Sequence, residues 1–178
     1  MPTVPYVRST HVDGQSWSAA KANQLEAGVN DVSYAPAVRV FHNVNQSITT
    51  GTDTALAFNS ERFDQAGNAA DTMHDTVTNN SRLTCRYAGV YQITGTVGFA
   101  ANATGIRQAQ IRLNGTTSLV LDRHTTVTAN DDYINVSTLY LLAVNDYVEL
   151  LAFQSSGGAL NVLSTANISP EFSMVRVA

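Results

Sequence analysis

The run Gly89-Val90-Tyr91-Gln92-Ile93-Thr94-Gly95-Thr96-Val97-Gly98-Phe99 constrains this chain more than any other segment. In an extended backbone successive side chains point to opposite faces. Tyr91, Ile93, Val97 and Phe99 then share one face, and Gln92, Thr94 and Thr96 the other. Alternation sustained over this length predicts an antiparallel strand with one face in a core and one face polar. Further strands are expected at Ala37–His42, Thr54–Phe58, Ile106–Leu113, Ser118–Arg123, Tyr133–Leu142, Tyr147–Phe153, Ala159–Leu163 and Phe172–Val177. Asn114-Gly115 joins two of them and is a strong hairpin signal, because both turn positions tolerate positive φ. Val144-Asn145-Asp146 reads as a second hairpin turn, Asn43–Thr52 as turn chemistry, and Glu61–Asn80 as a long surface excursion. Nine or ten short strands with no long helix among them predict an all-β sandwich.

Residues 1–36 follow different rules. Pro2, Pro5 and Asp13-Gly14 break regular structure. The segment from Ser16 to Gly28 reads as a short Ala-rich helix, with Ser16 as N-cap and Gly28 as its stop. Trp17, Leu25 and Gly28 fall near one stripe together with Ala20 or Lys21. A helix this short is marginal in water by itself, so it is expected to dock on its own β domain, a sister chain or another protein. The expected division is an arm over residues 1–36 and a β head over 37–178.

Composition excludes several functions. Only 13% of the 178 residues are charged while 44% are hydrophobic, which excludes charge-driven disorder. A net charge of -4, with Lys21 the only lysine, argues against nucleic-acid binding, since phosphate affinity comes from clustered Lys and Arg. No apolar run approaches the ~20 residues that span a bilayer, and the first residues lack the apolar core of a secretory signal. Asn-x-Ser/Thr sequons at Asn45, Asn79, Asn102, Asn114, Asn135 and Asn167 read as polar surface. Cys85 stands alone, which forbids an intrachain disulfide and a cysteine zinc site. His11, His42, His74 and His124 lack metal-ligand spacing, and His74 with Asp71 and Asp75 reads as a solvated acidic loop. Asp131-Asp132 lacks the spaced oxygen ligands of a calcium loop. Gly157-Gly158 lacks the strand–helix setting of a phosphate loop. No nucleophile, triad or carboxylate pair is legible, so neither an enzyme nor a cofactor is expected.

Two strands break the alternation. Val136, Tyr140 and Leu142 can fill a core from one face, as can Val148, Leu150 and Ala152. Leu139, Leu141, Leu151 and Phe153 then point the other way. A strand apolar on both faces must be covered on both. The cover is either the chain's own arm or a second subunit.

The stretch Arg82-Leu83-Thr84-Cys85-Arg86-Tyr87-Ala88-Gly89-Val90-Tyr91-Gln92-Ile93 resembles the Gly-x-Tyr strand opening of the complement C1q and tumour necrosis factor superfamily. Leu113-Asn114-Gly115 is similar to that family's Asn-Gly hairpin. Leu141-Leu142-Ala143-Val144-Asn145-Asp146-Tyr147-Val148 is similar to its Leu-x-x-Gly-Asp-x-Val, with Asn145 in place of glycine. Phe172-Ser173-Met174-Val175 resembles its closing Phe-x-Gly strand, with Ser173 in place of glycine. The resemblance implies a ten-stranded antiparallel jelly-roll sandwich that assembles as a homotrimer, here with a short N-terminal helical anchor arm. It places Leu139, Leu141, Gln92 and Thr94 on the trimer-facing surface, and Leu151 and Phe153 complete the expected interface.

The segment Asp13–Val29 resembles the short leader of bacteriophage minor tail and fibre proteins. It implies a virion anchor, with Trp17 and Leu25 as its contacts to other virion proteins. Collagen repeats are absent, which argues against an animal complement or cytokine role. The expectation is therefore a structural protein on the tail or capsid surface of a tailed phage, with a host-surface adhesin as the alternative. The loops Asp64–Asn80 and Val127–Asp132 are the expected host-facing surfaces for a glycan or receptor.

Overall fold

The computed structural model of the chain describes residues 18–25, 35–67, 72–126 and 129–178. The chain divides into two units, Met1–Ser33 and Tyr34–Ala178. In the first, residues 19–25 are helical. Ser18 starts this helix: its Oγ accepts the Lys21 amide at 3.3 Å, and its carbonyl accepts the Ala22 amide at 3.0 Å. Ser16, Trp17 and Gly28 lie outside the described residues. Leu25 is helical and exposed.

The second unit is all β. Its strands are β1 (Ala37–Phe41), β2 (Gln46–Ile48), β3 (Thr54–Ala55), β4 (Ser60–Gln65), β5 (Arg82–Thr84), β6 (Gly89–Phe99), β7 (Ile106–Leu113), β8 (Thr117–Thr125), β9 (Asp132–Leu142), β10 (Tyr147–Gln154), β11 (Leu160–Val162) and β12 (Glu171–Arg176). Among the described residues this makes twelve strands, not ten. They form one seven-stranded and one five-stranded sheet, and every strand pairing is antiparallel.

β6 organises the larger sheet. One of its edges pairs with β9 along the whole of Gly89–Phe99. The other takes β12 over Tyr91–Thr96 and β11 at Phe99. β1 and β4 continue the sheet beyond β12. In the smaller sheet β10 is central. It pairs with β7 on one edge and with β5 and β3 on the other, and β8 follows β7 across the Asn114-Gly115 turn. Asn114 and Gly115 both have positive φ, as the hairpin signal requires.

The core lies between the sheets. Tyr91, Ile93, Val97, Phe99, Val38, Val40, Phe172 and Met174 enter from the larger sheet, and Leu83, Ala109, Ile111, Val148, Leu150 and Ala152 from the smaller. Phe58 stacks on Phe172 with ring centroids 5.8 Å apart. Gly95 makes room for the Leu150 side chain of the facing sheet: a Cβ built there would sit 2.6 Å from its Cδ1. Cys85 is a buried thiol that donates to the Tyr87 carbonyl at 3.0 Å, and burial pushes its pKa up.

Three expectations change. Residues 61–65, expected inside a surface excursion, lie in strand β4. It is the edge of its sheet, and an edge strand needs no apolar alternation. The turn Val144-Asn145-Asp146 is not a hairpin, because β9 belongs to the larger sheet and β10 to the smaller. Asn145 has a φ of 70°, and the crossing is tied to Cys85, which bonds the Asn145 amide and the Asp146 carbonyl, each at 2.8 Å. Finally, His74 is buried rather than solvated: its Nδ1 lies 2.9 Å from Glu61 Oε1 and its Nε2 3.2 Å from the Asn80 carbonyl.

Gly95→Val should destabilise the fold by about 1–3 kcal/mol through overpacking against Leu150. Gly95→Val combined with Leu150→Ala should cost less than the sum of the two single changes, because the second makes room for the first. Urea unfolding of the three variants checks this.

Candidate functional site

The strand registers arrange the outer face of the larger sheet in rows. Leu141 lies beside Val90. Leu139, Gln92, Val175 and Ala37 form the next row, and Ser137, Thr94, Ser173, Arg39 and Phe63 the one after. Asn135, Thr96, Glu171 and Phe41 follow, and Tyr133 lies beside Gly98. Adding a Cβ at Gly98 would bring it within 2.5 Å of the Tyr133 ring, so the glycine makes space for that ring.

The middle rows are polar and bonded to one another. Gln92 Nε2 donates to Ser137 Oγ at 2.6 Å, Thr94 and Ser173 share a hydroxyl bond at 2.7 Å, and Thr96 Oγ1 donates to Asn135 Oδ1 at 2.7 Å. Beside them Glu171 accepts from Arg39 Nε at 2.7 Å and from Arg62 Nη2 at 2.8 Å, and its side chain is only 8% exposed. The Arg62 guanidinium also sits 3.8 Å over the Phe41 ring. Two guanidiniums around one carboxylate leave a net positive charge here. Arg39, Thr94, Glu171 and Ser173 line a shallow recess of about 280 Å3.

The end of this face beyond the polar rows is apolar. Leu139 is 59% exposed, Leu141 54%, Val175 39% and Val177 55%. Val177 joins the group because its amide bonds the Val90 carbonyl at 2.8 Å. Four large apolar side chains therefore stand clustered, although a folded chain ordinarily hides such a cluster.

Of the residues singled out from sequence, Gln92, Thr94, Leu139 and Leu141 are brought together on this face. Leu151 and Phe153 are not. They lie on β10 in the smaller sheet, where Leu151 is flanked by Gln110 and Ala55 and is 1% exposed. Phe153 is partly buried, with Arg123 placed 5.8 Å over its ring and Arg123 itself bonded to Gln108. They belong to the other sheet, so they do not share a patch with Leu139 and Leu141. Val175, Val177 and the Arg39–Glu171–Arg62 cluster had no separate sequence signal. Only the register of β12 against β6 and β1 reveals them.

The other candidates are also placed. His124 Nε2 meets Asp132 Oδ2 at 2.6 Å, and His42 Nδ1 meets the Val44 carbonyl at 2.7 Å. Asp131 accepts the Ala101 amide at 3.0 Å. His11 lies outside the described residues, as do residues 68–71 and 127–128 of the two loops expected to face a host. Among the described residues no group of three His, Cys, Asp or Glu side chains could hold a metal ion, and no helix is long and apolar enough to cross a membrane.

The solved structures most informative for this arrangement share its fold. The tumour necrosis factor Eiger from S. frugiperda superposes with a TM-score of 0.59 at 10% identity, over 81% of this chain and 93% of that one. The fold is a jelly roll of the tumour necrosis factor and C1q type. The globular domain of zebrafish complement 1qA matches at a TM-score of 0.54 and 13% identity, over 80% of this chain and 98% of that one. Murine APRIL matches at 0.54 and 11%, over 80% and 99%. No family model matches the chain. An uncharacterised protein of Acanthamoeba polyphaga mimivirus is 33% identical over 101 residues, which cover 52% of this chain and 43% of that protein. The chain thus matches less than half the length of that viral relative.

Glu171→Gln removes the charge that two arginines share and keeps the side-chain size. It should destabilise the head by about 1–3 kcal/mol, less than a fully buried pair would cost because both arginines are partly solvated. Urea unfolding at neutral pH is the measurement.

Proposed function

We propose that this chain is a structural protein of a virus particle, a homotrimer that buries the outer face of its seven-stranded sheet and is held on the particle by residues 1–36. The observation that carries this reading is the exposed group Leu139, Leu141, Val175 and Val177 beside a bonded polar field. Each such side chain is already about half buried, so covering the rest contributes roughly 0.5–1.5 kcal/mol apiece before the costs of association. The polar rows next to it supply register, because a misaligned neighbour would strand hydrogen-bonding groups without partners.

The viral setting draws support from the mimivirus relative, and the trimer from a fold shared with Eiger and complement 1qA. The resemblance of residues 13–29 to phage tail leaders makes the reading narrower: a tailed bacteriophage, with the head displayed on tail or capsid and Trp17 and Leu25 in the anchor. Binding, not catalysis, is then the protein's work. A second reading, attachment to a host surface, is favoured by a polar recess at the other sheet, described below.

The wild-type chain should scatter light with three times its 19.1 kDa mass. Leu139→Asp combined with Leu141→Asp should give a folded single chain. Leu121→Asp, also an exposed leucine but on the smaller sheet, should leave the assembly intact. A wild-type mass of one chain, or an unchanged mass in the double variant, overturns the trimer.

Removing residues 1–36 should leave a folded head, seen by its circular dichroism, that no longer copurifies with particles. A truncated head that still copurifies at the wild-type level refutes the anchor.

A further inference from the structure

A second recess lies where β5 meets the start of β10, on the smaller sheet. Its volume is about 320 Å3, at the lower end of the roughly 300–1,000 Å3 usual for small-ligand sites. Arg82, Arg86, Asp75, Thr84, Asn145 and Tyr147 are among its lining residues. The lining is mostly polar, which suits a ligand rich in hydroxyls better than an apolar one.

Among the described residues three guanidiniums, Arg82, Arg86 and Arg112, stand against two carboxylates, Glu149 and Asp75. Arg82 lies 3.7 Å and Arg112 3.5 Å from the carboxylate of Glu149, beyond good hydrogen-bond length, and Ser81 Oγ takes the closer position at 2.9 Å. One carboxylate therefore serves two guanidiniums. Arg86 donates from Nε to the Thr72 carbonyl at 2.6 Å, and no described carboxylate meets it. The Arg82 guanidinium carbon sits 4.1 Å over the Tyr147 ring centroid and the side chain is 37% exposed, so it is braced on the ring and open to a ligand. Braced there, it loses little side-chain freedom when it binds.

Acceptors complete the site. Asp75 uses Oδ1 to accept the Val77 and Thr78 amides at 2.8 and 2.9 Å, which leaves Oδ2 for another donor. The Thr78 and Val77 amides lower its pKa, which favours the accepting carboxylate form. Thr84 and Asn145 can both donate and accept. Guanidiniums to hold an anion and a mixed set of groups to meet hydroxyls are what an acidic sugar requires.

We infer that this recess binds a saccharide bearing a carboxylate, with Arg86 and Arg82 on the carboxylate and Asp75, Thr84 and Asn145 on the ring hydroxyls. The inference rests on the host-attachment reading and gives its ligand a chemical class. It does not depend on the trimer, whose surface is the other sheet.

The test is titration calorimetry of the full chain with methyl β-D-glucuronide, methyl β-D-glucoside and inorganic phosphate. The glucuronide should bind roughly 10-fold or more tightly than the glucoside, as expected for a charge-assisted contact. Arg86→Gln should erase that preference, while Arg86→Lys should keep part of it. Thermal unfolding of both variants close to wild type excludes a folding defect as the cause. Equal binding of both sugars, binding of neither, or phosphate binding as tightly as the glucuronide overturns the assignment. Adsorption to host cells, measured in parallel, separates the two levels: adsorption without glucuronide binding refutes the ligand class alone, and glucuronide binding without adsorption refutes the attachment reading.

Discussion

Everything in the head is referred to β6, whose two edges and one face are all committed. β9 takes one edge; β12 and β11 share the other; Tyr91, Ile93, Val97 and Phe99 fill the core. Only the face bearing Gln92, Thr94 and Thr96 remains, and a strand's period of two allows no other assignment of those side chains. Across the core, Gly95 admits Leu150. The outward face is thus fixed by the same packing that makes the core, and Leu139 and Leu141 inherit their exposure from their register against Gln92 and Val90.

The charges follow a common plan. In a chain with 13% charged residues, the outer face of each sheet holds one nearly buried glutamate shared by two arginines. Glu171 meets Arg39 and Arg62 on the larger sheet, and Glu149 meets Arg82 and Arg112 on the smaller. The geometries differ in a way that separates their roles. Around Glu171 the contacts are 2.7 and 2.8 Å, a closed pair of ion contacts. Around Glu149 they are 3.7 and 3.5 Å, and the guanidiniums keep hydrogen-bonding capacity for something else.

Sequence reasoning reached the long strands because they obey one rule throughout. β6 and β7 begin and end where alternation and the Asn-Gly turn place them. It missed β2 and β5, three residues each, since so short a run carries no periodicity. It missed β4 because Ser60-Glu61-Arg62-Phe63-Asp64-Gln65 is an edge strand that carries Arg62 as an extra residue against β1, and polar residues are tolerated there. The apolar pattern on β9 and β10 was legible, but its meaning was not. A turn signal shows that the chain reverses and not whether it stays in the same sheet. That ambiguity put Leu151 and Phe153 beside Leu139, when the reversal carries them to the opposite layer. Sites assembled across strands, such as Arg39 with Glu171 or Arg82 with Tyr147, have no local signature at all.

The turn between β7 and β8 has a chemical lifetime as well as a shape. The Asn114 side chain donates to Asp146 Oδ1 at 2.8 Å and accepts the Tyr147 amide at 2.9 Å, so it ties the hairpin to the crossing between the sheets. An asparagine followed by glycine is the dipeptide most prone to lose its amide nitrogen through a cyclic imide. Conversion at Asn114 would set a new carboxylate against that of Asp146 and turn a donor into a repelling anion. Slow ageing of this one residue would then loosen the joint on which the reversal from one layer to the other depends.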